Sequence, residues 1–203
     1  MYDYVLVTAP LDHGRLASLR WPDRQGVTDA GNRFHYYRLT DDDRLLFGGY
    51  DAIYHRGSHV DPSLEQRTAS HRRLARHVLQ TFPQLEGVRF THRWGGVIDA
   101  TTRFTPLFGT AMNGRVAYAV GYTGLGVAAS RVGAAVGLDL LFRRATDRSQ
   151  LAMVRRPPVP FPPEPFRSLV VALTQAALAQ EDRTGRRGAW LRLLDLFGVG
   201  FNS

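Results

Sequence analysis

Residues 2–8, Tyr-Asp-Tyr-Val-Leu-Val-Thr, alternate along the chain and are rich in β-formers. This pattern predicts a strand, which Pro10 ends. Leu11 to Gly31 carries Pro22 and scattered glycines and reads as a loop-rich segment. Phe34 to Thr40 and Arg44 to Tyr50 are two further β-prone runs around Asp41-Asp42-Asp43. Short acidic side chains satisfy turn backbone locally, so 34–50 is expected to be a hairpin. Asp61-Pro62 has the form of a helix start, with Asp as N-cap and Pro at the first position. Leu64, His71, Leu74, Ala75, Val78, Leu79 and Phe82 then recur on one helical face until Pro83. Val88 to Ile98 is the next expected strand, with Gly95-Gly96 marking a bulge or a close backbone approach.

The most informative stretch comes later. An apolar run from Val116 to Val120 meets the turn Gly121-Tyr122-Thr123-Gly124-Leu125-Gly126, and an Ala/Gly-rich helix follows. Such a junction brings bare backbone N–H groups and a positive helix end to one point, which suits an electron-rich or anionic ligand edge. The glycines alone fit an ordinary tight strand–helix connection better. Arg131 and Asp139 interrupt the apolar stretch, so it reads as a buried strand plus helix and not as a membrane span. Between Arg155 and Pro165 stand six prolines, which predict an extended linker. Beyond it, Phe166, Leu169, Val170, Leu173 and Ala177 recur with helical spacing, as do Trp190, Leu193, Leu194 and Phe197. Gly185 and Gly188 separate these two expected helices.

Composition narrows the chemistry. The 203 residues contain no cysteine, which excludes disulfides and thiolate metal sites. All 26 basic residues are arginine, so lysine Schiff-base and lysine-base chemistry are excluded. The net charge of +8 raises nucleic acid as a partner, but the arginines form no long basic run and no nucleic-acid motif. The seven histidines show no compact zinc-type spacing, and no metal is expected. The first residues lack a basic n-region, and a cytoplasmic location is expected.

Around the glycine turn lie Arg93-Trp94-Gly95-Gly96-Val97-Ile98-Asp99 and Thr105-Pro106-Leu107-Phe108-Gly109. In this order and spacing, these motifs resemble the C-terminal half of FAD-dependent oxidoreductases of the D-amino-acid oxidase type, which include glycine, sarcosine and γ-glutamylputrescine oxidases. Phe34-His35-Tyr36-Tyr37-Arg38-Leu39-Thr40 with Leu46-Phe47-Gly48-Gly49-Tyr50 resembles the γ-glutamylputrescine oxidase branch most. The family's N-terminal G-x-G-x-x-G turn within a βαβ unit has no counterpart before residue 30. The resemblance therefore implies the second part of such an enzyme, with an N-terminal FAD-binding half or subunit as its partner.

The resemblance implies FAD as cofactor and a small amine or amino acid as substrate. Gly121, Tyr122, Thr123, Gly124, Leu125 and Gly126 would approach the isoalloxazine ring, where backbone without Cβ atoms comes close. Tyr36, Tyr50 and Trp94 are candidates to line an amine pocket, together with Tyr37 and Tyr54; a cation stacked on such rings gains about 0.5–2 kcal/mol. Any individual tyrosine among them is better explained as a sheet-face aromatic. Arg38 or Arg103 could pair with a substrate carboxylate. No catalytic residue is assigned, because in amine oxidation by flavin the cofactor does the redox work.

The expected fold is α+β, a mixed and largely antiparallel substrate-domain sheet with helices plus the C-terminal strand and helix of an incomplete FAD-binding fold. The expected divisions are 1–98 for the sheet and its helix, 99–145 for the part of the FAD-binding fold, 146–165 for the proline-rich linker and 166–203 for a helical tail. On its own the chain is expected to be inactive and to expose an unpaired strand edge, which favours aggregation. The rival expectation is a non-catalytic remnant or regulatory protein that keeps the substrate-domain fold.

Overall fold

The computed structural model describes residues 1–200. Strands and helices combine in an α+β arrangement, and every strand pairing among the described residues is antiparallel. Two compact units divide the chain. The first comprises Met1–Val97 with Leu178–Arg186, and the second begins at Ile98–Ala177 and resumes at Arg187.

In the first unit, β1 (Tyr2–Thr8) lies between β4 (Leu45–Gly49) and β5 (Phe90–Val97). β3 (His35–Leu39) and β2 (Val27–Thr28) extend the sheet beyond β4. β3 and β4 form the hairpin that the acidic turn foretold, with Tyr36 opposite Gly48 and Leu39 opposite Leu45. Alternation sends Tyr2, Tyr4 and Leu6 of β1 to one face, where they join Leu39, Leu45 and Phe47. α2 (Thr68–Thr81) closes this core with Leu74 and Val78, and His71 is buried beside them. A Leu-to-Ala change in such a position costs about 2–5 kcal/mol, so α2 is a main stabilising element of this unit.

Three local expectations need correction. The segment 11–31 is not all loop: α1 (His13–Leu19) starts where the Asp12 carboxylate accepts from the Arg15 N–H at 2.9 Å. This is an N-cap, which stabilises even a short helix. The helix expected to run from Pro62 breaks at Arg67, whose backbone is extended (φ −79°, ψ 99°). Before the break, Pro62–Gln66 is a 3₁₀ turn capped by Asp61. Tertiary bonds impose this geometry, since Tyr4 Oη donates to the Leu64 carbonyl and Tyr2 Oη to that of Asp61. Gly95 and Gly96 are not a bulge either, because they pair in register with Tyr4 and Asp3. The irregularity falls at Val7/Thr8. The other expectation for this pair, a close approach, holds at Gly95, where a Cβ would stand 2.8 Å from the Tyr4 ring and 3.0 Å from the Glu65 carbonyl oxygen.

The second unit is built on a two-stranded ribbon, β6 (Leu107–Ala111) with β7 (Val116–Val120), against which α3 (Gly126–Leu141) packs. Gly133 gives α3 its close seat, because the Tyr122 ring ends where a Cβ would stand. Gly137 approaches Ala117 of β7. α4 (Ala152–Arg155) precedes the proline-rich stretch, which carries no regular structure and is tied to the unit by Thr102 Oγ1 donating to the Val159 carbonyl at 2.6 Å. The tail forms α5 (Phe166–Thr184) and α6 (Ala189–Leu196), and Trp190 Nε1 donates to Thr174 Oγ1. No described helix is long and apolar enough to cross a membrane.

Candidate functional site

In the second unit the glycine turn is built by positive φ angles. Gly121 (73°), Thr123 (52°) and Gly124 (84°) all take the left-handed region, where glycine is unstrained. Thr123 tolerates it within a local frame: its N–H donates to the Asp99 carbonyl at 2.9 Å, and its hydroxyl donates to the Gly121 carbonyl at 3.2 Å. Gly121 is buried against Thr101, whereas Gly124 and Leu125 are exposed. α3 then starts with no side chain capping it. The amides of its first turn have no intrahelical partners, and Val127 beside them is 99% exposed. A helix start of this kind offers N–H groups and positive potential to an electron-rich edge.

In the first unit, register sorts the candidate substrate residues by face. Residues paired directly across strands share a face. Tyr36 and Arg38 of β3, Gly48 of β4, Asp3 and Val5 of β1, and Trp94 and Gly96 of β5 therefore stand on the face opposite the Tyr4–Leu74 core. Tyr36 lies across β4. A Cβ on Gly48 would stand 2.6 Å from the Tyr36 ring, and beyond it the phenol donates to Asp3 Oδ2 at 2.8 Å. Burial holds the Asp3 carboxyl above the usual carboxylate range, against the Tyr36 hydrogen bond that lowers it. Burial likewise raises the Tyr36 phenol, and the neighbouring Asp3 charge adds to this. Trp94 is 40% exposed and Arg38 is exposed.

Tyr50 does not belong to this group. It ends β4 with φ 68°, stacks on His35 at 5.1 Å between centroids, and meets His77 edge-on. Arg33 lies 4.1 Å over its ring. Here His35 links Asp29 Oδ2 (2.5 Å) to His77 Nδ1 (2.8 Å) in one hydrogen-bonded chain. Burial, then His35 and two arginines, lower the His77 pKa. Nearby, Asp51 is 2% exposed and its Oδ1 binds both Arg33 and Arg73.

Residues 1–138 match the sequence model of the family described as DAO, FAD dependent oxidoreductase. The chain belongs to this family. It is 33% identical over 165 residues to gamma-glutamylputrescine oxidoreductase of Escherichia coli strain K12, covering 81% of this chain and 36% of that protein. It is 34% identical over 125 residues to the probable oxidoreductase OrdL of Haemophilus influenzae, covering 62% of this chain and 26% of that one. The chain thus spans about a third of the length of the curated relatives it matches. Two solved structures share the fold. They are an L-proline dehydrogenase from P. horikoshii (TM-score 0.57, 19% identity, 72% of this chain and 36% of that one) and an iminodiacetate oxidase from Chelativorans sp. BNC1 (TM-score 0.52, 12% identity, 77% and 38%).

FAD is the cofactor of the DAO family. Of the four residues singled out as its substrate-facing candidates, Tyr36, Trp94 and Arg38 share a face and Tyr50 does not. Tyr37 points to the core, stacked on Phe47 and edge-on to Trp21. Tyr54 is half-buried. Arg103 belongs to the second unit, where it donates to the Arg156 carbonyl at 3.1 Å. Sequence reasoning passed over Asp3. Its signal was a single acidic residue in an otherwise apolar strand, on the alternate face from Tyr2 and Tyr4. No group of three or more His, Asp or Glu among the described residues could hold a metal ion.

Proposed function

We propose that this chain is the substrate-facing sheet and last strand–helix of an FAD-dependent amine or amino-acid oxidoreductase. It works with a nucleotide-binding half that carries the G-x-G-x-x-G turn, on the same or another polypeptide. The uncapped, exposed start of α3 directly after the Gly121–Gly126 turn carries this reading. It is what an electron-rich rim of a cofactor needs, in a family that is FAD dependent. Bound FAD would supply the oxidant for the substrate C–N bond.

The chain's own residues would do three things. The amides at the start of α3 would stabilise negative charge on the cofactor rim through hydrogen bonds and the helix dipole. Gly124 and Gly126 would keep side chains out of that approach. Tyr36, Trp94 and Arg38 would contact the substrate from one sheet face. The β6–β7 ribbon has two strands among the described residues, so each keeps one backbone edge without a strand partner. A free edge of this kind is suited to receive strands of the nucleotide-binding half.

The test is co-expression of the full chain with a G-x-G-x-x-G half from an OrdL-like relative, followed by purification and an absorbance spectrum. Co-purified flavin, bleached by an amine substrate under anaerobic conditions, is the expected result. A colourless complex of folded chains would instead favour the non-catalytic remnant.

A further inference from the structure

Asp3 differs from the two fully buried carboxylates of the described residues. Arginines outnumber all acidic residues here, 26 against 18. The fully buried carboxylates each take an arginine: Asp51 binds Arg33 and Arg73, and Asp139 binds Arg148. Asp3 is half-buried in the central strand, yet none of the described arginines pairs with it. Its partners are neutral, the Tyr36 phenol and the backbone N–H groups of Tyr4 and Gly49, and the one charge acting on it is another carboxylate, Asp51. A desolvated carboxylate without a counter-charge is unfavourable, so the site is short of one cation.

The surroundings leave room for it. Gly96 is the residue directly across from Asp3 on β5, and a Cβ on it would meet no atom within 4 Å. Gly96 is exposed. The missing side chain leaves an open notch beside the carboxylate, on the face it shares with Tyr36 and Trp94. Tyr36 forms one wall, held flat because Gly48 lies under its ring. Trp94, two residues before Gly96, shares this face diagonally from Asp3 and is 40% exposed, within the reach of a large aromatic side chain. A carboxylate on a sheet face shared with two aromatic side chains matches the needs of an ammonium group, which takes a charge-assisted hydrogen bond and a ring face together.

We infer that Asp3, Tyr36 and Trp94 form a seat for a primary or secondary alkylammonium, the Asp3 carboxylate taking its charge and Gly96 providing its space. This deepens the proposed function and rests on it only for the statement that the bound ammonium is the substrate. Asp3 would select cationic amines over neutral or anionic analogues, and Tyr36 would hold its carboxylate in place.

The test uses the full chain and follows the indole N–H resonance of Trp94 by NMR, assigned with Trp94→Phe. The probes are n-butylammonium, 1-pentanol and butyrate. Only n-butylammonium should shift the resonance saturably. Asp3→Asn should weaken it roughly 10- to 100-fold, the loss expected for a charge-assisted hydrogen bond, and Tyr36→Phe about 2- to 10-fold. No saturable shift, equal binding by Asp3→Asn, or preference for butyrate would overturn the seat. If Asp3→Asn does not fold, as judged from the remaining resonances, unchanged binding by Tyr36→Phe would overturn it and weakened binding would support it. Failure of the oxidoreductase reading looks different: butylammonium would bind, but co-expression would retain no flavin. A flavin-bearing complex in which Asp3→Asn binds the amine as the unaltered chain does would sink the seat alone.

Discussion

The Tyr122 hydroxyl occupies the space that a side chain on Gly133 would need. The two residues belong to the glycine turn and to the third turn of α3, so this contact is the tightest of those that seat the helix. Gly133→Ala forces the ring or the helix to move, and overpacking of this kind costs about 1–3 kcal/mol. In a Tyr122→Ala background the same substitution should cost much less. Urea denaturation of the four combinations measures the coupling. Equal costs in both backgrounds would show that Tyr122 does not set the position of α3.

Asp51 joins Arg33, next to β3, to Arg73 of α2. Its removal leaves two guanidinium groups beside an emptied, buried position. Because Arg33 and Arg73 are 24% and 39% exposed, water screens the charges left behind, and Asp51→Ala should cost less than the about 3–5 kcal/mol of a fully buried pair while still lowering stability measurably. The thermal midpoint of the variant checks this. A change of no more than a degree or so, about what an inconsequential surface substitution gives, would contradict it.

Burial lowers the pKa of His55, His71 and His77. For each, the folded value lies below the unfolded one, near 6.5. The unfolded chain therefore takes up protons first as the pH falls. The stability these histidines contribute is complete above the unfolded pKa and declines as acidification proceeds below it. Denaturant midpoints should drop between pH 7.5 and pH 5.5. His71→Gln should flatten that slope, because His71 is almost fully enclosed and only its Nε2 has a partner, the Trp94 carbonyl.

Asp3 has the opposite sign. Its folded pKa is raised, chiefly by burial, so the folded state keeps this proton to higher pH than the unfolded state does. Ionisation at neutral pH therefore subtracts stability, and the loss grows as the pH rises from the unfolded value through the folded one. Asp3→Asn keeps an oxygen to accept from Tyr36 and removes the charge. The variant should be more stable than the unaltered chain at pH 7 and about equal to it at pH 3. A less stable variant at pH 7 would show that the carboxylate is already well compensated in the fold.

Much of this fold was legible in particular residues. Alternation in Tyr2–Thr8 marked the central strand, and three consecutive aspartates marked the hairpin turn. The glycines after Val120 marked the start of α3. α1 was missed because Gly14 lies inside it and prolines flank it, although Asp12 was a readable cap. The break at Arg67 could not be read locally, since it follows from hydroxyls of Tyr2 and Tyr4 some sixty positions away. The candidate site divides in the same way. Tyr36 and Tyr37 had to face opposite sides of any strand, so their separation was available from sequence. That Tyr36 reaches Asp3, and that Tyr50 turns toward His35 and His77, depends on pairing register and on one positive φ.

Gly48 has a bearing on how this family diverges. Its lack of a side chain is what lets the Tyr36 ring cross β4. Any side chain at position 48 would evict the ring, and a small residue at 36 would lift the restriction on 48. Across related chains the two positions should therefore change together, with a large aromatic at 36 found only beside glycine at 48, and a pair that varies independently would mark a branch that has abandoned this arrangement of its sheet.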